Sequence, residues 1–319
     1  MLSLVVPIYR SEENLPRLFD ALTSLAGQLP RPLEVVFVVD GSPDRSSEML
    51  AARLPSWPVR SQHLELSRNF GSFAAIGAGL AAAEGDYVAV LAADLQEPPE
   101  LVIEFEKILS SGRADVVFGR RERRSDPWLS QALSGTFWAF YRRFVVPEMP
   151  KGGIDVFGCT RQVRDALVQM RELNSNLLAL LLWLGFRREF VPYQRRARLE
   201  GRSAWSFGKK LRYALDSVFN FTDLPIRVLL VVGATATIVS MIASAVVLVR
   251  WWMGLIPVLG YTPLMLAVMS FGGVTALGLG IVGQYLWLSL QNTRNRPPYV
   301  VRAASRYEPA APRSDRKSS

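Results

Sequence analysis

Two acidic residues stand at the ends of apolar runs: Asp40 closes "LEVVFVVD" and Asp94 follows "YVAVLAA". Asp94 opens "DLQEPPE", where Gln96 and Glu97 precede Pro98 and Pro99, which stop the run from continuing as strand. Asp and Pro are common at helix starts, so each turn taken alone is a cap for the helix after it. The same carboxylates can instead serve a ligand together, provided the fold puts both strand ends on one rim. Nucleophilic chemistry finds less support. Cys159 has no visible histidine partner, and His63, the single histidine, reads as an ordinary strand residue. "GLGIVG" (278–283) and "GAGLAA" from Gly77 fit dinucleotide-binding spacings. The first lies in an apolar span and the second inside a helix, so neither has the strand–turn–helix setting that mechanism requires.

The elements that must position these residues are legible up to about residue 120. The strands are "LSLVVPI", "LEVVFVV", "HLEL", "YVAVL" and "DVVFG". Between them lie the helical patterns "SEENLPRLFDALTSL", "RSSEMLAARL", "SFAAIGAGLAAA" and "PPELVIEFEKILSS". Continuous apolar strands alternating with helices predict an α/β fold with a parallel sheet covered on both faces. Ligands of such sheets bind beyond the carboxyl ends of the strands. Asp40 and Asp94 both fall at that edge, which favours one site over two independent caps.

The 319 residues suggest roughly two domains, and the single cysteine excludes an internal disulfide framework. "MLSLVVPIY" lacks a basic start and a small-residue cleavage site, so it reads as a first strand and not as a signal peptide. Between Val228 and Thr293 the only charged residue is Arg250. Val228–Val249 and Leu264–Leu290 are each long enough to cross a hydrocarbon core of roughly 30 Å, which predicts a membrane hairpin over 226–290 with a loop at 250–262. Gly272, Ala276 and Gly280 on one span, and Ala236, Ser240 and Ser244 on the other, form small-residue stripes suited to close helix packing. Basic residues flank the hairpin at both ends, so the positive-inside rule puts both termini and the domain of residues 1–208 in the cytoplasm, at the plasma membrane. The net charge of +9 then points to anionic headgroups and not to nucleic acid. Residues 127–147 and 209–225 are aromatic and basic, as suits helices lying in the membrane interface. The basic tail, 291–319, is expected to be disordered from about Ala303.

Seven stretches, in order, carry a resemblance: "SLVVPIYRSEENL", "VVDGSPDRS", "LSRNFG", "ADLQEPPEL", "GRRERRSDPW", "GGIDVFG" and "RARLEGRSAWSFGKK". The chain resembles the polyprenyl-phosphate glycosyltransferases of glycosyltransferase family 2, in the bacterial branch with two C-terminal transmembrane helices. That group includes the dolichol-phosphate mannose synthases. The resemblance implies a GT-A-like, Rossmann-type domain that takes a nucleotide-diphosphate sugar with Mg2+ or Mn2+ and glycosylates a polyprenyl phosphate. By motif match, Pro7, Tyr9, Glu13, Asp40, Arg68 and Asp94 line the donor pocket, and Asp94 and Gln96 hold the metal. Arg120, Arg123, Arg198, Arg202, Ser203, Trp205 and Lys209 fall to the acceptor phosphate, and Asp155, with Asp94, to catalysis. Two departures stand out. Ala92 occupies the first acidic position of the family's Asp-x-Asp, and Ser72-Phe73 replaces the usual Lys-Glu after "LSRNFG". Ala92 keeps a second reading open, a transfer-deficient relative that binds lipid or assembles at the membrane. A processive polysaccharide synthase is the enzyme rival, although its Q-x-x-R-W motif is missing. Whether the chain forms a homo-oligomer stays open.

Overall fold

The computed structural model describes residues 1–121, 154–170, 177–196, 224–253, 261–294 and 296–309. Its first unit comprises Met1–Arg142, Val146–Ser206 and Pro297–Ser319; the second comprises Arg143–Val145 and Phe207–Arg296. The strands of the first are β1 (Leu2–Ile8), β2 (Leu33–Val39), β3 (Arg60–Leu66), β4 (Tyr87–Val90), β5 (Val116–Arg121), β6 (Ile154–Thr160), β7 (Arg188–Tyr193) and β8 (Val301–Tyr307). Its helices are α1 (Leu15–Gln28), α2 (Ser46–Arg53), α3 (Ser72–Ala82), α4 (Leu101–Ser110), α5 (Arg161–Gln169) and α6 (Leu177–Trp183).

The strands join in one sheet, in the order β7-β5-β6-β4-β1-β2-β3-β8. β1 and β2 are apolar along almost their whole length because both faces are covered, and every residue of β2 is buried. α1 presents Leu15, Leu18, Leu22 and Leu25 to that core at helical spacing. The sheet is mixed and not parallel throughout. β6 runs antiparallel to β4 and β5, and β8 antiparallel to β3.

β8 forms where composition points to disorder. Its side chains are mostly exposed, so apolar burial is not what holds it. A backbone ladder with β3 does, from Ser61 opposite Tyr307 to Leu66 opposite Val301. Ion pairs reinforce it: Arg302 to Glu65 at 2.5 Å, Arg306 to Glu84 at 2.8 Å and Glu308 to Arg60 at 3.4 Å.

The second unit contains α7 (Leu224–Trp252) and α8 (Tyr261–Thr293). Phe271–Leu290, within α8, is the one stretch among the described residues long and apolar enough to cross a membrane by length and composition. The helices approach at Gly278, where an added Cβ would lie 3.3 Å from Leu229 Cδ1. Nothing lies within 4 Å of such an atom at Gly272 or Gly280. Among the described residues the contact with α7 thus falls at Gly278 and not at the two glycines of the expected stripe.

Candidate active site

Strand direction builds the site. β1, β2, β3 and β4 run parallel, so the segments after Ile8, Val39, Leu66 and Val90 leave at one rim. β5 and β7 run the same way and end there too, at Arg121 and Tyr193. β6 and β8, being antiparallel, begin there. Arg120 is exposed and lies opposite Ile154, which places the Asp155 backbone at the rim. The loop "SRNFG" meets the residue before β8, with Ser67 N donating to Val300 O at 2.9 Å.

Asp40 is buried at 2 % exposure, and its carboxylate accepts from Phe70 N at 2.7 Å and Gly71 N at 2.9 Å. Burial pushes its pKa up, against the downward pull of those two amides. Asp40 thus clasps the "LSRNFG" loop, and not its own "GSPD" turn, to the end of β2. Gly41 has φ +55°, and an added Cβ would lie 2.3 Å from Arg68 C and 2.4 Å from Asn69 N. Gly41→Ala should therefore destabilise the protein by about 2 kcal/mol or more, through strain and overpacking together. A denaturation midpoint equal to that of the wild type would show that the loop gives way without cost.

Asp44 organises the rest of that turn. It accepts from Ser42 Oγ at 2.6 Å, Ser46 Oγ at 2.9 Å and Glu12 N at 3.1 Å. Burial raises its pKa, but these hydrogen bonds outweigh it and hold the carboxyl below its usual range. Glu12 in turn pairs with Arg45 at 2.6 Å, while Glu13 is exposed. Glu12 and Asp44 are therefore the acidic residues that brace this edge. Pro7 lies in β1 opposite Val38, Tyr9 is 36 % exposed, and the exposed Arg68 has its guanidinium carbon 4.6 Å from the Phe70 ring centre.

In the "AADLQ" turn, Leu95 takes the left-handed φ of +52°, and Gln96 N donates to Asp94 Oδ1 at 3.3 Å. Gln96 Oε1 accepts from Arg195 Nη2 at 2.5 Å. Glu97 is buried, with Oε1 3.4 Å from Arg195 Nε. Among the described residues no group of three His, Cys, Asp or Glu side chains could hold a metal ion. A hard cation takes about six oxygens. Asp94 and Gln96 accordingly fit a cation that arrives with most of its ligands and do not fit one held by protein alone.

Arg123, Arg198, Arg202, Ser203, Trp205 and Lys209, with the interface helices expected at 127–147 and 209–225, lie outside the described residues, except for Leu224 and Pro225 at the start of α7. Cys159 is fully buried, and burial pushes its thiol up to about 12, which leaves no thiolate for nucleophilic work.

A mixed α/β sheet with acidic loops gathered at one rim is the GT-A-like architecture of nucleotide-sugar transferases. The chain belongs to glycosyl transferase family 2, whose signature matches residues 3–169, and it is a glycosyltransferase. It is 33% identical over 301 residues to an uncharacterised glycosyltransferase of Synechocystis sp., covering 94% of each chain. It is 28% identical over 308 residues to the SfII prophage-derived bactoprenol glucosyl transferase of Shigella flexneri, covering 97% of this chain and 99% of the other. Among solved structures, glucosyl-3-phosphoglycerate synthase of Mycobacterium tuberculosis, with Mn2+, uridine diphosphate and phosphoglyceric acid, is similar at TM-score 0.46 and 16% identity, covering 69% of this chain and 76% of that one.

Proposed function

We propose that this chain transfers a single sugar, with inversion, from a nucleotide-diphosphate sugar to a polyprenyl phosphate at the cytoplasmic face of the plasma membrane. The observation that carries the reading is the rim. Asp40, Asp94, Arg120 and the start of β6 with Asp155 lie along it, and the chain leaves it after β7 and returns to it at Val300. The full-length likeness to a bactoprenol glucosyl transferase supports the acceptor class.

The phosphate oxygen of the acceptor attacks the anomeric carbon as the bond to the nucleotide diphosphate breaks, and the electron pair leaves with the diphosphate. A phosphate monoester's second pKa is near about 6, so the nucleophile is already ionised and little general-base work remains. We assign Asp155 to orienting the acceptor. Asp94 and Gln96 are the residues that would hold Mg2+ or Mn2+, which would neutralise charge on the leaving diphosphate. Pro7, Tyr9, Glu13, Asp40 and Arg68 shape the donor pocket. Arg120, Arg123, Arg198, Arg202, Ser203, Trp205 and Lys209 receive the acceptor phosphate.

We assign α7 and α8 to a two-span hairpin. β8 lies in the same sheet as β7, which precedes the helices, and a return to one sheet suits an even number of crossings. Incubating the purified protein with a panel of labelled nucleotide sugars and undecaprenyl phosphate tests the whole reading: one donor should yield a labelled lipid. No labelled lipid from any donor, with nucleotide still bound, would favour the transfer-deficient alternative that Ala92 suggests. Successive additions of sugar would favour a polysaccharide synthase.

Arg198→Ala should raise the acceptor KM or lower kcat/KM about ten-fold or more, with little change in nucleotide affinity. Arg198→Lys should rescue it only in part, because the planar fork is lost. Equal losses on donor and acceptor would show that Arg198 is not an acceptor residue.

A further inference from the structure

Residues 195 and 196 are fastened to the "LQEPPE" turn across a sequence separation of 99. Arg195 Nη2 donates to Gln96 Oε1 at 2.5 Å, and Arg195 Nε lies 3.4 Å from the buried Glu97. Arg196 N donates to Gln96 O at 2.8 Å, and its guanidinium lies 3.2 Å from Glu100. The segment that carries Arg198 and Arg202 begins immediately after. The side-chain oxygen assigned to the divalent cation is thus in the hands of a fixed positive charge. Two cations sharing one neutral oxygen repel each other, most strongly where water is scarce.

We propose that Arg195 is a positioning residue that makes binding of the divalent cation depend on the nucleotide diphosphate. It holds Gln96 while the donor is absent and gives it up when a nucleotide diphosphate arrives with its cation. Gln96 then turns to the cation, and the guanidinium stays with Glu97. Because such coupling is reciprocal, the bound cation should strengthen binding of the nucleotide diphosphate by the same factor. The inference rests on the donor and metal assignments made above. It extends them by giving a role to a residue outside the seven matching stretches.

The test is a Mn2+ titration by calorimetry on the full chain in detergent, with and without uridine or guanosine diphosphate. Without nucleotide, Arg195→Gln should bind Mn2+ about ten-fold more tightly than wild type, and the gain on adding nucleotide should shrink by the same factor. Arg195→Lys keeps the charge and should stay as weak as wild type. If Arg195 were only a structural prop, Arg195→Gln would bind Mn2+ more weakly in both conditions. Removing the arginine takes a charged neighbour from the buried Glu97, so Arg195→Gln with Glu97→Gln is the second variant and should show the same tightening. Unchanged or weaker nucleotide-free binding in both variants overturns the proposal. Failure of the wild type to transfer sugar would instead overturn the functional reading beneath it.

Discussion

Asp94→Ala lowers sugar transfer by about 10³-fold or more while leaving the thermal midpoint within a few degrees of wild type. Asp94 is the one carboxylate left where the family motif provides two, because Ala92 occupies the first acidic position. Removing one donor to developing charge in a well-furnished site costs about 10²–10³ in rate. Among the described residues no second carboxylate takes over, and Gln96 is neutral and already engaged by Arg195. The Asp94 side chain is half-buried and stands outside the hydrophobic core, so the fold has little to lose. Asp94→Asn should recover only a small part, since the oxygen returns without its charge. Calorimetry gives an independent check: wild type should bind Mn2+ poorly alone and well with a nucleotide diphosphate, and Asp94→Ala poorly in both. Near-normal transfer by Asp94→Ala, or tight Mn2+ binding by nucleotide-free wild type, would remove Asp94 from the centre of the site.

The parts legible in the sequence are those held by patterned burial. β1, β2 and β4 can be read almost to the residue, because strands covered on both faces leave continuous apolar runs between turn residues. The rim could be inferred from the same runs, which is why Asp40 and Asp94 were visible as a pair. Direction in the sheet was not legible. β6 follows the long segment 122–153, and nothing in "IDVFGCT" says whether it enters parallel or antiparallel. β8 was hidden for a different reason: it is held by backbone pairing and by Arg302 and Arg306, whose partners Glu65 and Glu84 lie far away in sequence. The same distance hides the Arg195 contact with Gln96 and the Glu12–Arg45 pair. Glu12 and Glu13 are adjacent acids, and only the fold separates the one that braces the turn from the one that is exposed. The motif match marks Gln96 as a metal ligand, but it carries no sign of the cation already beside it.

A chain ending at Asp223 loses more than its lipid substrate. It also loses β8, so β3 becomes the edge of the sheet and Glu65 and Glu84 lose Arg302 and Arg306. Each ladder hydrogen bond contributes about 1 kcal/mol net, and the exposed ion pairs add little. Losing the ladder should lower the melting temperature by about 10 °C, at about 2–4 °C per kcal/mol for a domain of this size. The uncovered edge should also promote self-association, because its free amides and carbonyls can pair with another copy. A second variant separates the two effects: residues 224–296 replaced by a flexible Gly/Ser linker, with 297–309 retained. This chain should recover the melting temperature and stay monodisperse, because β8 is again available to β3. It should bind nucleotide diphosphate as the full chain does, since Asp40, Asp44 and Asp94 are all in the first unit. Transfer to undecaprenyl phosphate should nonetheless stay about 10²-fold or more below wild type, because the apolar helices proposed to hold the acceptor lipid are gone. Equal melting temperatures for the chain ending at Asp223 and the full chain would deny β8 its part in the fold. Full turnover by the linker variant in detergent would deny α7 and α8 theirs in presenting the acceptor.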